Sequence, residues 1–253
     1  MKFPFRSRIA GRILGFALTI TSFSQADAGQ ILLNGGFESG FASWTRSDLA
    51  GGDGTFSQQS GTLSPVNGDA VPAPPGGSFA AMTDALGPGS HALYQDFVVP
   101  AGTVSAELRF DLFLGNRGDD FYSPNPASLD FGAPAFNQQA RVDILVGSSN
   151  AFSVLPADVL QNVFQSKPGD PLVSGYTTVV VDLSSLFASR GGQTLRLRFA
   201  EVDNVAPLQM GIDNVSLTAV PEPASVVLCG TGLLIGFIRS RRYRRSAVGT
   251  PVR

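Results

Sequence analysis

Carboxylates and a clustered set of aromatic rings are the side chains through which this 253-residue chain could do chemistry. Asp111, Asp119, Asp120 and Asp143 could supply the two acids that glycoside hydrolysis requires. Phe121, Tyr122, Phe131 and Phe136 lie close to Asn116, Arg117, Asp119, Asp120 and Asn125, within Gly115 to Gln139. A pyranose has an apolar C–H face and a hydroxyl edge, so rings beside polar groups form a sugar platform. The same rings could instead anchor a long loop to the core, the commoner role of phenylalanine. Sugar recognition and anchoring both stay open from sequence. His91 is the only histidine, so a multi-histidine metal site is excluded, and Gly-Ser-His-Ala ahead of a strand reads as a solvated turn. Cys229, the only cysteine, lies in an apolar segment near the C-terminus, which leaves the body without disulfides or cysteine-bound zinc. A nucleophile elbow, an H-E-x-x-H helix and a phosphate loop ending in G-K-[S/T] are all missing. An acidic surface also supplies carboxylate pairs by chance. Enzyme is therefore the weaker reading, kept as an unrecognised glycoside hydrolase.

The elements that must position these groups read as strands. Ser105 to Leu114 alternates with period two, placing Ala106, Leu108, Phe110, Leu112 and Leu114 opposite Glu107, Arg109 and Asp111. Ala140–Val146 and Thr194–Ala200 alternate in the same way, and Tyr176–Leu183 and Ala92–Val99 are further strands. Shorter candidates lie at Ser78–Met82 and Phe41–Thr45. Pro156–Phe164 carries the one helical spacing, with Val159, Leu160, Val163 and Phe164 on one side. The alternation breaks between Ile212 and Val215, and a bulge at Asp213-Asn214 would repair it while turning an acid toward the sheet rim. Leu49–Gly77 and Gly115–Gln139 fit no strand. The pattern predicts an all-β fold, an antiparallel β-sandwich of jelly-roll type.

Both ends carry targeting patterns. Lys2, Arg6, Arg8 and Arg12 precede the apolar run Ile13–Phe23 and an Ala26-Asp27-Ala28 site, which reads as a secretory signal cleaved after Ala28. At the other end Pro221-Glu222-Pro223 is followed by the uncharged Ala224–Ile238, then by Arg239, Arg241, Arg242, Arg244 and Arg245. Arginines stay cytoplasmic, so the body is expected outside, behind a span shorter than the ~20 residues of a stable membrane helix. The expected organisation is signal peptide 1–28, sandwich domain 29–219, sorting and anchor segment 220–245, and polar tail 246–253. A signal helix and a short membrane helix would thus flank the sandwich. Between residues 29 and 223 there are 8 Lys and Arg against 19 Asp and Glu, a net −11. Such a surface repels nucleic acid and attracts cations such as calcium.

The C-terminal triplet resembles the PEP-CTERM sorting domain of bacteria. The resemblance implies recognition by an exosortase-type protease, removal of the tail, and delivery to the cell surface or an exopolysaccharide matrix. Asn34-Gly35-Gly36-Phe37-Glu38, followed by Phe41-Ala42-Ser43-Trp44 and closed by Ile212-Asp213-Asn214-Val215-Ser216-Leu217, is similar to the galactose-binding-like jelly rolls of carbohydrate-binding modules. Ser43 stands where that pattern has glycine. The resemblance implies a structural calcium held by Glu38, Asp213 and the Gly36 carbonyl; the alternative is that both carboxylates merely cap backbone amides. It also implies a non-catalytic domain that binds polysaccharide, against a structural matrix protein with no small ligand. Trp44 is expected to pack inward.

Overall fold

A computed structural model of the chain describes residues 28–222; the signal and membrane helices expected from sequence lie outside them. Among the described residues no helix is long and apolar enough to cross a membrane. Two antiparallel sheets make up the body. One runs β3 (Thr55–Gln59), β4 (Ala80–Asp84), β11 (Leu208–Pro221), β6 (Thr103–Asn116), β9 (Thr177–Asp182), with β1 (Gly29–Gln30) also paired to β11. The other runs β2 (Thr45–Asp48), β5 (Gly89–Val98), β10 (Thr194–Asp203), β7 (Gln138–Val146), β8 (Val159–Gln165). A single turn of helix, α1 (Ser184–Ala188), follows β9.

Alternation places one apolar face of each sheet inward. Leu108 and Phe110 of β6, Ile212 and Leu217 of β11, and Leu197 and Phe199 of β10 share one buried cluster. Phe110 meets Phe199 edge-on across the gap, ring centres 5.3 Å apart, which is the contact that joins the sheets into a sandwich. Each such side chain contributes about 1.5–3 kcal/mol through burial. Trp44 packs inward, as expected, against Phe37 and Phe199, and its indole N–H donates to the Asn34 carbonyl at 3.1 Å.

The outer face of the second sheet is covered rather than solvated. Leu129 is buried against Ala200 and Val202, with Phe131, Phe152 and Val154 packed around them. Beneath this cover lie two arginines and one aspartate. Arg141 makes a forked pair with Asp143 at 2.6 and 2.7 Å, and Arg198 donates to the same carboxylate. Arg198 is fully buried and also donates to the carbonyls of Ala151 and Ser153 at 2.8 and 2.7 Å, tying the 147–158 segment to the sheet. Arg196 forks onto Asp96 and lies over the Tyr94 ring at 3.8 Å.

Four expectations change. Residues 159–165 form strand β8 where a helix was expected. Two register shifts opposite β7, at Val142/Asp143 and Ile144/Leu145, reproduce a three-to-four spacing of Leu160, Val163 and Phe164 while keeping them on the core side. Phe41–Trp44 is a run of tight turns, with Ser43 at φ 70° and Gly40 at φ 62°, and the strand begins only at Thr45. β3 lies inside Leu49–Gly77, hidden because its buried positions are Phe56 and the polar Gln59. His91 is no solvated turn: it is buried within β5, between Asp48 of β2 and Glu201 of β10 in register.

Candidate functional site

The first and last segments of the body meet at the bulge anticipated from sequence. The β11–β6 register shifts between Asp213 and Ser216, and Asn214 takes φ 51°. The Gly35 carbonyl accepts the Val215 N–H at 2.9 Å, and a Cβ on Gly35 would lie 1.9 Å from the Val215 carbonyl oxygen, so only glycine fits. Gly36 lies beside Asp213, its ideal Cβ position 3.8 Å from Oδ1. Asp213 is fully buried under the loop at 76–79 and does not reach the sheet rim, because its oxygens accept N–H groups from Gly76 at 3.0 Å and Asn214 at 2.7 Å. Glu38 Oε1 accepts from Ser78 and Phe79 at 2.8 and 2.9 Å. Both carboxylates therefore cap amides. They also repel each other and Asp111: burial first, then Asp111 and Glu38, push the Asp213 carboxyl up to about 6 despite its amide bonds. Glu38 and Asp213 hold one loop, and Asp111 faces Asp213 across the β6–β11 ladder; all three are hard oxygen donors, and a cation would relieve their repulsion. In donor type and charge the group fits calcium.

The aromatic set of the long insertion separates into three environments. Phe121 is fully buried in the main core and is withdrawn from any ligand face, since its apolar ring gains more by packing there. Asn116 is also buried, holding the loop through the Asp120 carbonyl, the Gly118 N–H and Gln138 at 2.8, 2.8 and 3.0 Å, and so has no free edge for a ligand. Phe131 packs over the second sheet, its N–H donating to Ser90 Oγ at 3.0 Å. Tyr122 and Phe136 pair at 5.2 Å with ring planes 31° apart, and Phe136 is 60% exposed. The Tyr122 hydroxyl donates to Asp119 Oδ1 at 3.1 Å, which raises the phenol pKa. Asp120 Oδ1 is engaged by the N–H groups of Phe121 and Gly169, both at 2.8 Å. The structure thus brings Tyr122, Phe136 and Asp119 together at the surface and leaves Phe121, Asn116, Phe131 and Asp120 to hold the loop.

A second concavity beside β2, about 770 Å³, is lined by Phe41, Trp44, Arg46 and Asp48. Arg46 lies over the Phe41 ring at 4.6 Å and covers the face a sugar would stack on. Of the sorting motif, Pro221 is the last residue of β11, opposite Thr103, and the Glu222 N–H donates to the Gly102 carbonyl at 2.8 Å. Pro223, Arg241, Arg242, Arg244 and Arg245 lie outside the described residues. Sequence reasoning missed the polar end of the interior, where His91, Glu201 and Asp203 converge. The signal was there: in β10 the inward phase Leu195, Leu197, Phe199 continues as Glu201 and Asp203. Burial drives the Glu201 carboxyl well above its ordinary range and brings Asp203 to about 6.

No protein-family model matches the chain, and no curated protein matches it in sequence. Among solved structures, the carbohydrate-binding module TmCBM61 in complex with β-1,4-galactotriose is 13% identical over 75% of this chain and 97% of its own, TM-score 0.41. A cleaved adhesin domain of Lys-gingipain from Porphyromonas gingivalis is 12% identical over 76% and 99%, TM-score 0.44. A Stig cyclase from Fischerella sp. TAU is 19% identical over 77% and 99%, TM-score 0.46. At these values the likenesses carry no argument about ligand or chemistry.

Proposed function

We propose that this chain is an exported surface or matrix protein whose jelly-roll sandwich binds extracellular polysaccharide without catalysis. The observation that carries the reading is the pairing of half-buried Tyr122 with exposed Phe136 beside Asp119. Two rings offer an apolar platform to pyranose C–H faces, and the Asp119 carboxylate stands ready for hydroxyls at its edge. A body of net −11 favours neutral glycans over polyanionic ones. The test is titration of the full-length protein with neutral and acidic glycans. Tyr122→Ala with Phe136→Ala should weaken neutral-glycan binding at least about tenfold with the melt unmoved, each ring contributing ~1 kcal/mol or more. Unchanged affinity in that double variant, or no glycan bound by the wild type, refutes the proposal.

Export and sorting complete the reading, and the residue pattern alone supports them: a signal peptide at 1–28 and an exosortase-recognised segment at 220–245 that contacts the membrane until processing. Mass spectrometry of the surface-released protein should give termini after Ala28 and near Pro223. Intact ends refute processing.

A structural calcium at Glu38, Asp213 and the Gly36 carbonyl belongs to the same reading. It is supported by the mutual repulsion of Glu38, Asp111 and Asp213. At about tenfold excess over Kd, calcium would add ~1.4 kcal/mol to stability. Melts with calcium and with chelator should differ in the wild type and coincide in Glu38→Ala.

A further inference from the structure

We infer that His91, Glu201 and Asp203 form a buried site for one divalent transition-metal ion of the zinc class. Their ligand atoms lie within 4.8 Å of one another, and all three residues are at least nine-tenths buried. Register explains the convergence. His91 of β5 sits directly across from Glu201 of β10, and Asp203 is two residues further along the same face. Two atoms aimed into the cluster lack any hydrogen-bond partner: His91 Nε2 and Glu201 Oε1. Leaving either unsatisfied in the interior is costly, and more so if charged, so both atoms favour an occupant.

The surroundings suit a metal better than a simple ion pair. His91 Nδ1 lies 2.8 Å from Asp48 Oδ1, a contact that puts the ring proton on Nδ1 and leaves the Nε2 lone pair facing the carboxylates. A carboxylate bound to the far nitrogen is the usual support of a metal-ligating histidine. Gly89 keeps space open beside the ring: a Cβ there would meet Nε2 at 2.5 Å. The Gly89 N–H donates to Asp203 Oδ1 at 2.8 Å and orients that ligand. Asp203 also lines a cavity of about 170 Å³ with Leu86–Pro88 and Asn204–Pro207, which provides an entry route. One imidazole and two carboxylates match zinc-class donors, whose bonds are ~2.0–2.2 Å. Uptake therefore draws each of the three groups inward by up to about 0.7 Å.

The test uses the full-length protein after chelation. Because the chain has a single histidine, its ring nitrogens report without any variant: one equivalent of Zn²⁺ should shift the Nε2 resonance. Co²⁺ should give visible d–d absorption saturating at one equivalent. Glu201→Gln, a neutral isostere, and His91→Asn, which keeps the bond to Asp48, should each abolish uptake while remaining folded in chelator. Asp48→Asn should weaken affinity about 10–100-fold with all three ligands in place. Glu38→Gln should change nothing, which separates this site from the proposed calcium. An unmoved imidazole resonance with no Co²⁺ band, or uptake that survives loss of His91 or Glu201, overturns the inference.

Discussion

Replacing Asp143 with asparagine should bring the body close to unfolding, although the change is isosteric. Asp143 is fully buried and is the one acid facing two guanidinium groups, from Arg141 and Arg198. Arg198 is itself completely buried, so it cannot turn to solvent when its partner is neutralised. Removing one member of a buried pair costs about 3–5 kcal/mol, against ~5–15 kcal/mol for a whole domain. At roughly 2–4 °C per kcal/mol for a domain of this size, the melting temperature should fall about 6–20 °C. Replacing all three charges together, Asp143→Leu with Arg141→Met and Arg198→Met, should recover most of the loss, because the desolvation penalty disappears with the charges. pH adds a signed check. Burial raises the Asp143 carboxyl, but Arg141 and Arg198 more than offset this and hold it below the ordinary 3.8. Its contribution is therefore complete above that value and lost as pH falls through the folded pKa. The assay is a thermal melt of wild type, single and triple variants at neutral and acid pH. A single variant melting within about 1 °C of wild type, or a triple variant no better than the single, would refute the reasoning.

Gly35→Ala should destabilise by about 3 kcal/mol or more, since its Cβ collides with the Val215 carbonyl, and denaturant melts would show a lower midpoint at unchanged slope. Ser43→Gly should stabilise by about 0.5–1 kcal/mol, because φ 70° strains serine and suits glycine; a lower melting temperature would count against this. Without calcium, stability should fall as pH rises from about 4 to 6, since the native state holds on Asp213 a proton the unfolded chain has already released. Asp213→Asn should reduce that slope and leave the part that Asp203 and Glu201 contribute, read by urea titration in chelator at both ends of the window.

Period-two alternation made the long strands legible, because β6 presents one continuous apolar face from Ala106 to Leu114, and β7 and β10 do so over Ala140–Ile144 and Leu195–Phe199. The bulge at Asp213-Asn214 was legible as a break in the same pattern. β8 was not, since two slips in its register mimic a helical spacing. Trp44 was placed correctly by its neighbourhood, whereas Phe121 and Phe136, fifteen residues apart in one loop, go to opposite fates that only tertiary contacts decide. His91 escaped because Gly-Ser before it suggests a turn, while β5 already starts at Gly89. A cross-strand trio of polar residues depends on register, which a single sequence does not carry.

The last strand of the body is also the middle of its sheet: β11 pairs with β1, β4 and β6. Until Leu208–Pro221 has arrived, the β3–β4 hairpin and the β6–β9 pair have no strand between them and no common surface to lean on. The polypeptide thus cannot lock into shape from its leading end. On the export route proposed above, a translocating machine would meet a pliable thread until the fourteen residues of β11 come through, and compaction of the body would follow late.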